Sequence, residues 1–431
     1  MTRKMHLVGI LATSPTIHHS GAWRHPASQN RITDPNWWAD LAREYESACY
    51  DGVFFGDSPI IDTSERTARG GQAAYLDPSP LAMVMAGATK HLGIGITIST
   101  SLIPPYAIAR SLQTMNVLTG GRIAWNIVTS TGKKEAECFG MDDLLPRNER
   151  YDMADEVVEA CCKLWDSFGE GALLADKESG IYVDTDKLTD FDYTGKYVRT
   201  KGPLPVPPSA QGRPVLMQAG ASERGRNFAA RWAEMIFTLQ NDLPEMQAFY
   251  ADVKGRITKE GRDPADCAIL AAVDPIVGET KAIALEKQRY VNNLVDDDMA
   301  IAHASRHLGV DLNQFPMDKP LEDLDIENGT VGSFEVMRNA SKSKGLTLIE
   351  LCRSFSISES CPQLAGTPEQ VADAMCEMFE KKGCDGFIIS PAAMPGSIEE
   401  FNRMVVPILQ ERGLFRTAYE GTTLRASLKA S

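Results

Sequence analysis

The sequence predicts an α/β fold, a (β/α)8 TIM barrel with insertions after strand 4 and between strands 7 and 8. Two observations carry this. Eight short apolar, β-branched runs alternate with helical patterns along the 431 residues, the mark of parallel strands covered by helices. A count of eight favours a closed barrel over an open sheet, and barrels of this length are commonly one domain. Residues 1–431 are therefore read as a single domain.

The expected strands are residues 7–11, 53–56, 94–102, 123–129, 215–218, 235–239, 268–277 and 386–390. The first follows basic residues in "MTRKMHLVGILATSPT", an arrangement that imitates a secretory signal. Its apolar core, residues 7–12, is six residues long, too short for one, so it is read as a strand. Asp34 and Pro35 place an N-cap and a first-turn proline before "NWWADLAREYESA". Thr367-Pro368-Glu369-Gln370 is a capping box opening "VADAMCEMFEKKG", which ends at Gly383. Two segments exceed a minimal barrel. Residues 169–214, rich in Gly, Asp and Pro, suggest an excursion with a short hairpin. Residues 278–365 hold helical pieces and a polar stretch, and an insertion there is expected to hang over the C-terminal mouth as a lid.

Composition narrows the partners. With 43% hydrophobic and 24% charged residues the chain builds an ordinary core, and its apolar runs are too short to span a bilayer. A net charge of −14 without any basic run argues against nucleic acid. Nine cysteines, an odd number without CxxC spacing, fit reduced thiols in a cytoplasmic protein. A disulfide frame or a zinc site is not expected.

Barrel chemistry gathers where strands end. Those ends carry Asp57, Thr100, Asn126 and Ser222, small hydrogen-bonding groups without the paired carboxylates or histidine cluster that hydrolysis needs. Such a set suits a large polar cofactor that brings its own chemistry. Ser222 lies in "QAGASERGRNFAA", where a strand meets a glycine turn, a hydroxyl and a helix start, a common phosphate-holding arrangement. Gly220 to Gly225 has P-loop spacing, but Arg226 and Asn227 replace the lysine and hydroxyl. GxGxxG fails at Ser222. A plain turn with Ser222 as N-cap stays open beside the phosphate reading. His303 and His307 stand four apart in "HASRH" without the glutamate of a zinc-protease motif, and are expected on an exposed helix face. No GxSxG elbow occurs.

Four stretches, "GAWRHP", "RNERYDMADE", "QAGASERGRNFAA" and "YEGTTLRASL", occur in order between residues 20 and 428. Together they resemble the flavin-dependent monooxygenases of the bacterial-luciferase-like superfamily, in the branch with nitrilotriacetate, EDTA and dibenzothiophene-sulfone monooxygenases. The resemblance implies that the phosphate is that of FMN, held by Ser222 and by backbone N–H groups around Arg224 and Gly225. It also implies flavin contacts at Asp57, Thr100 and Asn126, with Tyr151 near the phosphate and ribityl chain. Many members have His four residues before that tyrosine; here it is Arg147. The implied chemistry is two-component: a separate NAD(P)H-dependent flavin reductase supplies reduced FMN, which reacts with O2 to a peroxyflavin that oxygenates a small organic substrate. His25 is the candidate for proton transfer, Trp23 and Phe55 for a dry wall, and a homodimer or homotetramer is implied. Alternatives left open are a deazaflavin-dependent hydride-transfer enzyme, a non-catalytic flavin-binding protein, and a barrel lyase or hydrolase acting on a phosphorylated substrate.

Overall fold

In the computed structural model, which describes residues 3–12, 18–61, 65–70, 76–220, 222–321, 337–342, 345–359 and 361–429, strand β1 (His6–Leu11) pairs in parallel with β2 (Gly52–Phe55). β3 (Gly93–Ser99) and β4 (Ile123–Val128) continue the sheet, and a short antiparallel hairpin, β5 (Asp192–Thr194) and β6 (Arg199–Lys201), stands apart from it. β7 (Val215–Gln218), β8 (Met235–Thr238) and β9 (Ala268–Val277) follow, and then β10 (Gln363–Gly366) and β11 (Gly386–Ile389). β8 pairs with β9, β9 with β11, and β11 with β1, so eight parallel strands close into a barrel. All eight strands expected from the alternation are present.

The sequence reading missed β10. Its four residues, "QLAG", extend the edge of β9 beyond β11, with Gln363 opposite Asp274. A strand that short and half polar gives no periodic signal. The hairpin lies within residues 169–214, as its Gly- and Asp-rich composition implies.

Alternation along the strands builds two apolar layers. Val8 and Ile10, Phe54, Ala124, Val215 and Met217, Leu270 and Ala272, and Ile388 form the barrel interior. Their neighbours Leu7, Val53, Phe55, Ile94, Ile96, Trp125 and Leu216 pack beneath the helices. Phe55 is fully buried there against Trp38, ring centroids 5.6 Å apart, so it is core and not a wall of the mouth. Trp23 is 41% exposed and its indole N–H donates to the Arg69 carbonyl.

The helices start where the sequence places caps. Asp34 accepts from the Asn36 N–H at 2.9 Å, and Thr367 and Gln370 form the reciprocal capping box. The segment between β9 and β10 holds helices Lys281–Asn292, Asp297–Leu308 and Leu348–Ser358 with an apolar centre of its own, including Ala304, Leu308, Leu351 and Phe355. It reaches the loop after β2, where the Arg306 guanidinium donates to the Ser58 hydroxyl at 3.0 Å. All nine cysteines are free. Among the described residues no helix is long and apolar enough to cross a membrane.

Candidate active site

A cavity of about 750 Å³ opens at the C-terminal ends of β2, β3, β4 and β7. Its polar side chains include Asp57, Thr97, Ser99, Glu135, Tyr151 and Gln218, set among Ile103, Ile108, Ile127 and Phe228.

The β7 end is shaped by absent side chains. Ser222 caps the helix Glu223–Trp232, its hydroxyl accepting from the Gly225 N–H at 3.1 Å. The first intrahelical bond runs from the Arg226 N–H to the Ser222 carbonyl, so the N–H groups of Glu223 and Arg224 precede the ladder. A Cβ on Gly225 would lie 2.9 Å from the Tyr151 hydroxyl, and one on Gly220 2.8 Å from the same oxygen and in collision with the Gln218 amide. A side chain at either position would crowd the space beside these side chains. The concavity thus presents a hydroxyl pair, Tyr151 and Ser222, beside the positive end of a helix, a ready seat for an anion.

Tyr151 enters from the helix Arg147–Asp166, one turn beyond Arg147, and packs on Phe228 at 5.7 Å. Burial pushes its hydroxyl pKa up, opposed by Arg147, a hydrogen bond with Ser222, and Arg224, so it stays protonated. The Arg224 guanidinium pairs with Asp152 at 2.9 Å and with Asp155, and Arg226 pairs with Asp252 at 3.2 Å. The Arg224 guanidinium also lies 5.6 Å from the centre of the Tyr151 ring, so its charge is shared between those carboxylates and the edge of the seat.

Deeper in the barrel, Asn126 donates to the Thr97 hydroxyl at 2.8 Å, and Thr97 donates to the Phe55 carbonyl. This chain fixes the Asn126 amide while leaving its buried Oδ1 without a partner among the described residues; the same holds for Gln218 Oε1. Two unsatisfied buried acceptors beside a cavity are costly unless a ligand supplies donors. Asp57 keeps an open face to the cavity yet is ringed by protein. Lost hydration, with repulsion from Asp77 and Glu135, raises its pKa to about 6. Ser130, at φ 55, holds a backbone conformation rare for non-glycine residues and donates to the Ser99 hydroxyl at 2.9 Å.

Of the strand-end residues, Asp57 lines the cavity, while Asn126 and Ser222 stand behind the lining, bonded to Thr97 and Tyr151. Thr100 is buried with its hydroxyl on the Val128 carbonyl at 3.2 Å, so Thr97 and Ser99 form the β3 wall instead. Counting by two along "ITIST" would have found them, because residues 97 and 99 share a face. His25 lies outside the cavity lining; its Nδ1 accepts from the Ala27 N–H at 3.0 Å and its ring meets Tyr290 edge-on at 5.5 Å. A third departure concerns His303, which is fully buried, and His307, which is partly so; both face Glu359 and not solvent.

A parallel barrel with a cavity at its C-terminal end, a glycine-lined concavity after β7 and unpartnered buried acceptors at Asn126 and Gln218 is of the cofactor-binding class. The comparisons identify which. The model of the luciferase-like monooxygenase family matches residues 16–386. The chain is 41% identical to the dibenzothiophene-sulfone monooxygenase of Rhodococcus erythropolis (strain XP), over 99% of this chain and 96% of that one. It is 38% identical to nitrilotriacetate monooxygenase component A of Aminobacter aminovorans, over 95% and 93%. The crystal structure of DmoA from Hyphomicrobium sulfonivorans superposes with a TM-score of 0.92 at 31% identity, covering 100% of this chain and 93% of that one. This chain belongs to the luciferase-like monooxygenase family. It is a flavin-dependent monooxygenase that uses FMN and O2 on a small organic substrate.

Proposed function

We propose that this chain is the oxygenating component of a two-component system, taking reduced FMN from a separate NAD(P)H-dependent flavin reductase. The observation that carries the FMN assignment to particular residues is the glycine-lined seat at Ser222 and Tyr151, where one added methyl at either Gly220 or Gly225 would fill the space. Ser222, Tyr151 and the N–H groups of residues 223 and 224 would hold the phosphate, with Arg147 adding charge from one turn before Tyr151. Asn126 Oδ1 and Gln218 Oε1 would accept from the ring's N–H, and Asp57 would line its edge. Bound reduced FMN supplies the electrons that activate O2. The chain's own residues bind and orient, and the apolar wall of Ile103, Ile108, Ile127 and Phe228 excludes water. The two-component reading is supported by the word "component" in the name of the nitrilotriacetate relative.

The lining also bears on the substrate. Asp57, Asp77 and Glu135 face the cavity, and no Arg, Lys or His is among its described lining residues. An anionic polycarboxylate would meet repulsion there. A neutral, largely apolar molecule, as in the name of the dibenzothiophene-sulfone relative, fits better. The helix Asp297–Leu308 is proposed as part of a cover over the mouth, because its Arg306 reaches Ser58 beside Asp57.

The test mixes the protein and anaerobically reduced FMN with oxygenated buffer and follows flavin absorbance. A protein-dependent transient outliving the reoxidation of free flavin is expected, with label from ¹⁸O₂ entering a neutral aromatic sulfone when reductase and NAD(P)H are added. Reoxidation identical to that of free FMN, together with no flavin binding, would remove the assignment. Labelling of nitrilotriacetate but not of the sulfone would reverse the substrate argument.

A further inference from the structure

Away from the flavin cavity, the insertion gathers three side chains around one point. The helix Asp297–Leu308 carries His303 and His307 one turn apart on one face. Glu359 terminates the helix Leu348–Ser358 in the left-handed conformation, φ 48, which turns its carboxylate back toward them. His303 Nε2 lies 3.4 Å and His307 Nε2 3.6 Å from the same oxygen, Glu359 Oε1. One ligand atom from each residue falls within 4.8 Å of the others.

We propose that His303, His307 and Glu359 bind one divalent transition-metal ion of the zinc class. With metal–nitrogen and metal–oxygen bonds of about 2.0–2.2 Å, atoms at two corners of a tetrahedron stand roughly 3.3–3.5 Å apart, close to the separations seen. Two imidazoles and one carboxylate suit Zn²⁺, Co²⁺ or Ni²⁺, whereas Ca²⁺ and Mg²⁺ prefer oxygen ligands.

The surroundings are those of a built site. His18 Nε2 faces the other carboxylate oxygen, Glu359 Oε2, at 3.7 Å, while its Nδ1 is hydrogen-bonded with the Ser390 hydroxyl at 2.6 Å. That places an imidazole behind the ligating carboxylate, anchored in turn to the end of β11. The Phe355 ring packs on both histidines, at 5.7 Å and 5.2 Å, and restrains their rotation. His303 is fully buried while the His307 side chain is 31% exposed, so the group lies at the edge of the insertion's interior. The ion would join two helices of the insertion and, through His18, tie them to the loops after β1 and β11. That fixes the insertion over the barrel mouth, whatever cofactor the barrel holds.

The experiment strips the full-length protein with chelator, adds Zn²⁺ or Co²⁺, removes unbound ion by gel filtration and measures metal per chain. One equivalent is expected, with proton release on binding, four-coordinate Co²⁺ absorption and a raised thermal midpoint. Glu359→Gln and His307→Gln should each weaken affinity at least about tenfold, and His25→Gln should leave it unchanged. His307 is partly exposed, so its variant tests the site even where replacing buried Glu359 prevents folding, which circular dichroism reports. Binding below one equivalent, or equal retention by His307→Gln, would overturn the proposal.

Discussion

At the N-terminal end of the barrel, buried charge is matched. Asp51 accepts from the Leu7 N–H at 3.0 Å, meets His6 at 3.0 Å and pairs with Arg416, whose guanidinium also donates to the Ser427 carbonyl. Asp385 is met by Lys254 at 2.8 Å and the Tyr250 hydroxyl at 2.9 Å. The C-terminal segment "YEGTTLRASL" closes this end, with Leu424 in the interior cluster and Arg425 on Glu234. At the opposite end, Asn126 and Gln218 keep orphaned acceptors, Asp57 is raised to about 6 and Asp274 to about 7. At one end the buried charges are paired; at the other, carboxyls with raised pKa and unpartnered amide oxygens stand at or near the cavity. The division follows from the parallel barrel, whose strands all deliver their C-terminal loops to one face.

This contrast can be broken by mutation. The largest effect is expected at the matched end: Arg416→Ala leaves Asp51 buried with one cation fewer and should destabilise by about 3–5 kcal/mol. Denaturant titration measures it, and FMN affinity of the folded fraction should not change. The Asp51 pKa is depressed: burial raises it, but Arg416 and His6 prevail. Its stabilisation is therefore present above the ordinary carboxylate range and lost as pH falls through the depressed value.

At the ligand end the sign reverses. Asp274, 3% exposed, is raised from 3.8 to about 7 by burial despite a hydrogen bond from Gln363 at 2.9 Å. Its raised pKa favours folding at low pH, and that advantage is lost as pH rises through about 7. Asp274→Asn should then stabilise at pH 8 by on the order of 2–4 kcal/mol and give little below pH 4. Equal midpoint shifts at pH 4 and pH 8 would contradict this.

Gly225→Ala sharpens the distinction between stability and binding. The added methyl meets the Tyr151 hydroxyl at 2.9 Å, so FMN affinity should fall about tenfold, near 1.4 kcal/mol. Folding stability should shift by less than about 1 kcal/mol, because alanine also improves helix propensity. Fluorescence titration with FMN beside a melt separates the two. The smallest effect is expected for Arg224→Ala. Its partner Asp152 is exposed, and half-buried Asp155 keeps Trp232 and Arg231 as partners, so stability should fall by only about 1 kcal/mol. FMN affinity should stay within about threefold, and a larger loss would mean that the guanidinium reaches the phosphate.

The barrel strands and the capped helices, the Ser222 cap among them, were legible in the chain, because each is a local matter. Alternation, cap residues and glycine spacing depend on neighbours within about one turn. The strand-end reading erred at Thr100 because the direction of a side chain at the end of a strand is set by register with its neighbours, here Ile98↔Ile127 and Ser99↔Val128 of β3 and β4. Gln218 was visible as the one polar residue ending an apolar strand, but its orphaned oxygen was not, since a missing partner is a property of the packed interior. His25, near the mouth in sequence, is drawn outward by Tyr290, 265 positions away in the chain (290 − 25).

The grouping of His303 and His307 with Glu359 shows the limit most clearly. The spacing of the histidines was readable, and the absence of a nearby glutamate argued against a shared site. The carboxylate arrives from a second helix more than fifty residues later, brought by the packing of Ala304 and Leu308 against Leu351 and Phe355. By itself the sequence determined which elements form and where glycine must stand, because backbone preference and apolar period are local energies. Only the tertiary structure decided which polar groups meet and which are left unmatched, because burial and partnership are fixed by contacts between distant segments.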